Sequence, residues 1–208
     1  MAPDSAPTSV VDETEPVDGR RLRGERNKEG VIEAILDLLN EGNERPTTAQ
    51  IAERSGVSVR SVFRHFDDVE SLYAAAVETH AGRMASHYAR PLPTGELDAR
   101  IAGIVGRRAD LYEAIGPVRR AGERLRTSSP SIAGKLDYSR TLLRRELDEV
   151  FAAEIAAAPA RDREAVTDAL EAATSWHTWE ALTRAQGCSR DRAMVAMHRL
   201  VAVLLDGR

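Results

Sequence analysis

Arg60 and Arg64, set four residues apart, are the most chemically pointed pair in this 208-residue sequence. In a helix that spacing puts both on one edge. A guanidinium can bond O6 and N7 of a guanine together, which discriminates between bases by about 1–3 kcal/mol. The side chains around the pair suit the same use. Val59 can pack on a thymine methyl, and Ser61 can donate to or accept from several base edges. Thr47, Thr48 and Ser58 suit phosphate contacts that fix register. His65 fits either a phosphate contact or a packed position, and Phe63 sits among them.

Such a reading edge has to be held out from a core, and the stretch "TTAQIAERSGVSVRSVFRHF" carries the elements to do it. Thr47 with Gln50 three residues on fits a capping box, and Ile51 and Ala52 open a buried face. Ala52 is small where two helices cross, and Gly56 can take the positive φ of a sharp turn. Ser58 caps a second short helix. Its Val62 and Phe66, at i and i+4, close the crossing together with Val57 and Ile51. Upstream, Ile32, Ile35, Leu36 and Leu39 mark a first helix that Gly42 ends in a left-handed cap. The bland alternative is an ordinary helical hairpin.

The run "PTTAQIAERSGVSVRSVFRHFDDVESLY", preceded by a helix ending in glycine, resembles the N-terminal domain of the TetR family of bacterial transcription regulators. The resemblance is specific over about residues 28–75 and rests on "TTAQIA", "SGVS", "VFRHF" and "ESL". It departs from the family at two places. Phe63 stands where a tyrosine is common, so a hydroxyl for a phosphate is missing. Val69 stands where a lysine is common, behind Asp67 and Asp68, whose carboxylates repel a phosphate although Asp68 suits a helix cap. The resemblance implies an N-terminal three-helix DNA-binding domain over 20–68 and a larger helical ligand-binding and dimerisation domain over 69–208.

Composition fits an all-α fold of about nine helices. Ala, Arg, Leu and Glu dominate, aromatics are 4% and the net charge is −4. These abundant residues lose little rotamer freedom in helices, and no strand-like alternation appears. The charge changes sign near the start. Residues 1–19 are acidic, Pro/Ser/Thr-rich and aperiodic, which predicts disorder. Arg20, Arg21, Arg23, Arg26 and Lys28 follow as a basic arm able to lie on a sugar–phosphate chain or enter a minor groove. No secretory signal or membrane-length apolar run is present, so a cytoplasmic location is expected. The lone Cys188 excludes an internal disulfide and a cysteine-based metal cluster. His80 and His87 lack a third ligand at suitable spacing.

Further helices are expected over Val69–Tyr88, Leu97–Ile115, Pro117–Arg126, Ile132–Ala157, Arg163–Gln186 and Ser189–Leu205. In the last, Met194, Met197, Val201 and Leu204 form one apolar stripe, and Ala193, Ala196, Leu200 and Val203 another. Apolar surface on two sides needs more cover than one neighbour gives. Ala165, Ala169, Ala172, Ala173 and Trp176 give the preceding helix a small-residue face. The family resemblance implies that these two helices pair across a homodimer. It also implies a cavity for a small-molecule effector among the middle helices, with Met84, His87, Tyr88, Tyr112, Tyr138, Trp176 and Trp179 as candidate lining. Arg108 falls on an apolar stripe and must find a carboxylate, reach water or meet an anionic effector.

The reading is therefore a DNA-binding regulator, most simply a repressor, with double-stranded operator DNA and an effector as partners and no cofactor or metal. The alternatives are a sequence-tolerant DNA binder without a ligand and an all-helical enzyme. G-x-S-x-G, H-E-x-x-H, G-x-G-x-x-G and phosphate-loop motifs are all missing, which argues against the enzyme.

Overall fold

Helix α1, Glu15–Asn40, does two jobs along its 26 residues. Ahead of its buried part, Arg21, Arg23, Arg26 and Lys28 are exposed. Its second half buries Val31, Ile32, Ala34, Ile35, Leu36, Leu38 and Leu39. The computed structural model describes residues 15–206, with side chains from residue 21 onward. The helix opens at Glu15 rather than after residue 19, and Pro16 stands in its first turn, where a missing N–H is harmless. The basic arm is thus the leading part of α1. The rest of the acidic stretch expected to be disordered, residues 1–14, lies outside the described residues. Gly42 ends α1 at φ +91°, and the N–H groups of Gly42 and Asn43 return to the carbonyls of Leu39 and Leu38.

Ten more α-helical segments follow among the described residues: α2 Thr48–Ser55, α3 Val59–His65, α4 Val69–Arg83, α5 Ala85–Tyr88, α6 Leu97–Leu125, α7 Pro130–Val150, α8 Ala152–Ala157, α9 Arg163–Ala173, α10 Trp176–Glu180 and α11 Arg190–Asp206. A π-helical turn, Ala181–Ala185, extends α10. The fold is all-α, and no described helix is long and apolar enough to cross a membrane.

Two apolar cores hold these elements. The first joins α1–α3 to Leu72, Tyr73 and Ala76 of α4, and also to Val118 and Ala121 of α6 and Ile132 and Leu136 of α7. The second unites the first part of α6 with the end of α7, α9, α10 and α11. The core of the helix–turn–helix therefore runs past residue 68, through α4, onto helices far along the chain.

Four helix boundaries differ from those expected. The helix from Val69 breaks at Met84, whose N–H is shared between the carbonyls of His80 and Ala81, each at 3.1 Å. The short α5 that follows brings the Tyr88 hydroxyl within 2.9 Å of Ser139 Oγ. The expected stop at Gly116–Pro117 does not occur, and α6 runs on to Leu125. An interior proline costs about 3 kcal/mol. Burial of Ile115, Val118 and Ala121 around it outweighs that, since each large apolar side chain contributes about 1.5–3 kcal/mol.

The helix expected over 132–157 breaks at the fully buried Phe151. There Arg100 lies 5.8 Å from the ring centroid and donates to the Val150 carbonyl at 2.6 Å. The helix expected over 163–186 breaks at Thr174. Ser175 Oγ accepts from Thr178 N–H at 3.1 Å and starts α10 afresh, a local serine cap displacing continuation.

Candidate nucleic-acid interface and cavity

Hydroxyl caps and one left-handed glycine set the angle between α2 and α3. Thr47 Oγ1 accepts from Gln50 N–H, and Gln50 Oε1 accepts from Thr47 N–H at 2.9 Å, the complete capping box. Gly56, at φ +69°, ends α2 with its N–H on the carbonyls of Ala52 and Glu53. Ser58 Oγ accepts from Ser61 N–H and starts α3. Ile51, Ala52, Val62 and Phe66 are buried beneath the turn.

With Val62 and Phe66 inside, the opposite face of α3 is fixed in solvent. Val59, Arg60, Phe63 and Arg64 are all exposed. Arg60 and Arg64 have no hydrogen-bond or ion-pair partner among the described residues. Phe63 stays 46% and Val59 41% exposed, beside the two arginines. Two guanidiniums and two apolar side chains at i, i+4 make a surface that can engage base edges and thymine methyls. Thr48 is half-exposed at the start of α2. Thr47 donates its hydroxyl proton to Gln50 Oε1 and Ser58 donates to Ser61 Oγ, which leaves the free helix-start N–H groups as the donors able to face a phosphate.

His65 is half-buried at the end of α3. Its Nε2 is buried without a partner among the described residues, and its ring lies against α1 at Gly24. Burial, then the neighbouring Arg64 and Lys28, hold its pKa below the usual histidine value. Lys28 Nζ lies 5.7 Å from the Phe66 ring centroid, a second tie between these helices. Asp68 caps α4 through Ser71 N–H at 2.7 Å, so its carboxylate is committed to the helix start.

Two long-range ties went unforeseen. Arg54 meets Glu41 through two 2.8 Å hydrogen bonds, clamping the end of α1 to α2. Glu44, in the loop between them, accepts from Arg184 of the π turn at 2.9 Å, and its backbone carbonyl accepts from Arg124 of α6. Arg184 first, then Arg124 and Arg120, hold the Glu44 carboxyl below the usual carboxylate range. No sequence spacing announces a partner 140 residues away.

A cavity of about 660 Å³ opens between α6, α7, α9 and α10. Of the candidate lining residues, Arg108, Tyr112 and Trp176 border it. The others do not. Trp179 is buried behind Tyr112, ring centroids 6.4 Å apart. Tyr138 points outward from α7, 66% exposed, because the turn that buries Leu136 puts it on the opposite face. Met84 and Tyr88 pack on the second core, and His87, on α5 with Tyr88, lies outside the cavity lining.

The missed lining is charged rather than aromatic. Arg119 pairs with Glu123 and Arg126 with Asp137. Arg140 and Arg144 meet Glu171, and Arg144 also meets Asp168. Arg108, 1% exposed, donates to Glu146 at 2.5 Å and to the Leu143 carbonyl at 2.8 Å. It thus takes the first of its three expected fates. Glu146 is shared with Arg107, at 2.7 Å. Tyr112 donates to the Thr174 carbonyl at 2.8 Å, and full burial pushes its pKa up to about 12.

Residues 26–76 match the profile of the bacterial regulatory proteins, tetR family. No curated protein matches the chain at a significant level. Solved structures with this fold include a transcriptional regulator from Rhodococcus sp. RHA1, 18% identical, covering 88% of this chain and 96% of its own, with a TM-score of 0.65. A tetR-family transcriptional regulator from Streptomyces coelicolor is 21% identical over 88% of this chain and 84% of its own, with a TM-score of 0.66. Residues 26–76 of this chain are thus similar to the helix–turn–helix part of the tetR family of bacterial regulatory proteins, and the chain as a whole shares the fold of these solved transcriptional regulators.

Proposed function

We propose that this protein is a ligand-responsive repressor that binds a palindromic operator as a homodimer and leaves it when a small molecule fills the cavity. One observation carries the reading: Arg60 and Arg64 project, unpartnered among the described residues, from a short helix whose other face is locked in a core. On this reading Arg60, Arg64, Val59, Ser61 and Phe63 face the major groove. Thr47, Thr48 and Ser58 approach phosphates, residues 20–68 form the reading unit, and the protein works in the cytoplasm.

The dimer surface is supported by α11. Its Ala193, Met197, Val201 and Leu205 are buried, while Val195, Leu200, Val203 and Leu204 remain 38–70% exposed. Both expected stripes are split: Ala193 is buried while Leu200 and Val203 are exposed, and Leu204 is exposed on the stripe whose Met197 and Val201 are buried. Helix α9, which packs on α11, has Ala165 and Ala172 exposed. Coupling from the cavity has two physical routes. Helix α4 packs on α6 and α7 as well as on α1. Glu44 links the reading unit to Arg124 of α6 and to the π turn after α10, and both helices border the cavity.

Selection of bound sequences from a random DNA pool tests the proposal. The expected product is a palindrome with half-sites about 34–36 Å apart, or multiples of that, bound in a salt-sensitive way. Absence of any sequence-selective, salt-sensitive binding would sink it. A sequence-tolerant binder would yield affinity without a consensus.

A further inference from the structure

The charges around the cavity do not balance. The arginines that line it or share its ion pairs number six, Arg107 and Arg144 among them, against five carboxylates. The surplus is sharpest where burial is deepest. Arg107 and Arg108, their side chains only 10% and 2% exposed, share the single carboxylate of Glu146. A buried cation without its own counter-charge is costly. Arg108 is the member of this triad that faces the cavity, and its Nε–H has no acceptor. The other titratable groups at hand do not compensate. Tyr112 stays neutral, its hydroxyl spent on Thr174, and His177 at the rim adds positive charge or none. Beside this surplus the wall is apolar, formed by Tyr112, Leu143, Leu147 and Trp176.

We propose that the cavity selects a small organic monocarboxylate, its single negative charge answering the surplus positive charge of the Arg107–Arg108–Glu146 triad and its apolar or aromatic body lying against Tyr112 and Trp176. This rests on the cavity being the effector site, and it adds the ligand's charge and shape class. The anion restores neutrality where water is scarce. A neutral analogue leaves the surplus unmet, and a cation adds to it.

The test uses three probes with one body: 4-phenylbutyrate, 4-phenylbutanol and 4-phenylbutylammonium. Each is titrated into the full-length protein and followed by tryptophan fluorescence, since Trp176 borders the cavity. The carboxylate is expected to bind at least about tenfold tighter than the alcohol, with the ammonium weakest. Arg108→Met should bring carboxylate and alcohol to within about twofold, and Glu146→Gln should widen their gap. Because Arg108 is buried, Arg140→Gln provides the same one-charge change at the rim, where the side chain is 67% exposed; circular dichroism confirms its fold. Equal or tighter binding of the alcohol or the ammonium overturns the assignment, as does failure of the carboxylate to bind or an unchanged preference in Arg140→Gln. The same probes added to the protein–DNA complex separate the two readings. A carboxylate that binds without releasing DNA removes the effector role and keeps the ligand class. An alcohol that binds better and releases DNA does the reverse.

Discussion

Arg60 and Arg108 are both helical arginines, and the two ends of the molecule treat them in opposite ways. At the reading end Val62 of α3 and the adjoining Phe66 are drawn inward, the caps use hydroxyls and backbone, and the guanidiniums are left free in water. At the cavity end Arg108 and Arg144 are tied to carboxylates on other helices. A free guanidinium keeps its five donors for a partner and has no standing ion pair to break first. A tied one holds two helices at a set distance, and a ligand that competes for its partner changes that distance. The first arrangement suits recognition by a rigid face, and the second suits response.

The largest effect that would break this contrast is on the free pair. Arg60→Ala with Arg64→Ala should abolish preference for the selected operator, each substitution removing about 1–3 kcal/mol of discrimination. Thermal stability should stay unchanged, since neither side chain has a partner among the described residues. Fluorescence anisotropy on operator and scrambled duplexes reads the outcome, and an equal loss on both would reduce the pair to phosphate contacts.

Next comes a packing comparison. Ile51→Ala, at a site with no exposure, should cost about 2–5 kcal/mol in urea denaturation. Leu143→Ala, half-buried on the cavity wall, should fall at or below the bottom of that range because one side of it already lacks neighbours. Similar losses at both sites would mean that the cavity wall is packed as tightly as the reading unit.

The smallest effect is with pH. Burial holds His80, on α4, below its ordinary value of 6.5, with Arg83 adding to the shift and a hydrogen bond to the Ala114 backbone opposing it. His65 is shifted the same way. The unfolded chain therefore takes up protons first, and stability is full above pH 6.5 and declines as pH falls from there through the lowered folded values. His80→Gln and His65→Gln should each flatten the slope of stability against pH over that window. The larger share is expected from His80, the more deeply buried of the two.

How much of this was legible beforehand follows from how far apart interacting residues lie along the chain. The reading end is built from neighbours: Thr47 with Gln50, Ser58 with Ser61, Val62 with Phe66. These obey capping and i, i+4 rules that a sequence displays openly, and Gly42 and Gly56 stand at their positive φ as expected. Around the cavity the buried partners lie far apart, 35 residues for Arg108 with Leu143 and 62 for Tyr112 with Thr174. Only the need of Arg108 for a counter-charge could be read, not which carboxylate supplies it. A search for aromatic lining reaches Tyr112 and Trp176 but passes over the charged part of the wall, whose members reveal themselves only through their ion pairs. The helix boundaries failed for a related reason: at Pro117 a strong local stop signal was outweighed by burial supplied from elsewhere.

The π turn at Ala181–Ala185 amounts to one residue more than an α-helix needs over that span. Each residue advances a helix by about 100°, so everything after the surplus is re-indexed by that angle. Arg184 owes its aim at Glu44 to this phase. Deleting one of these five residues should let the segment relax into regular α-helix and swing the guanidinium off the loop, leaving Arg124 and Arg120 to hold Glu44 alone. A lineage could therefore loosen or tighten the link at Glu44 through a one-codon indel.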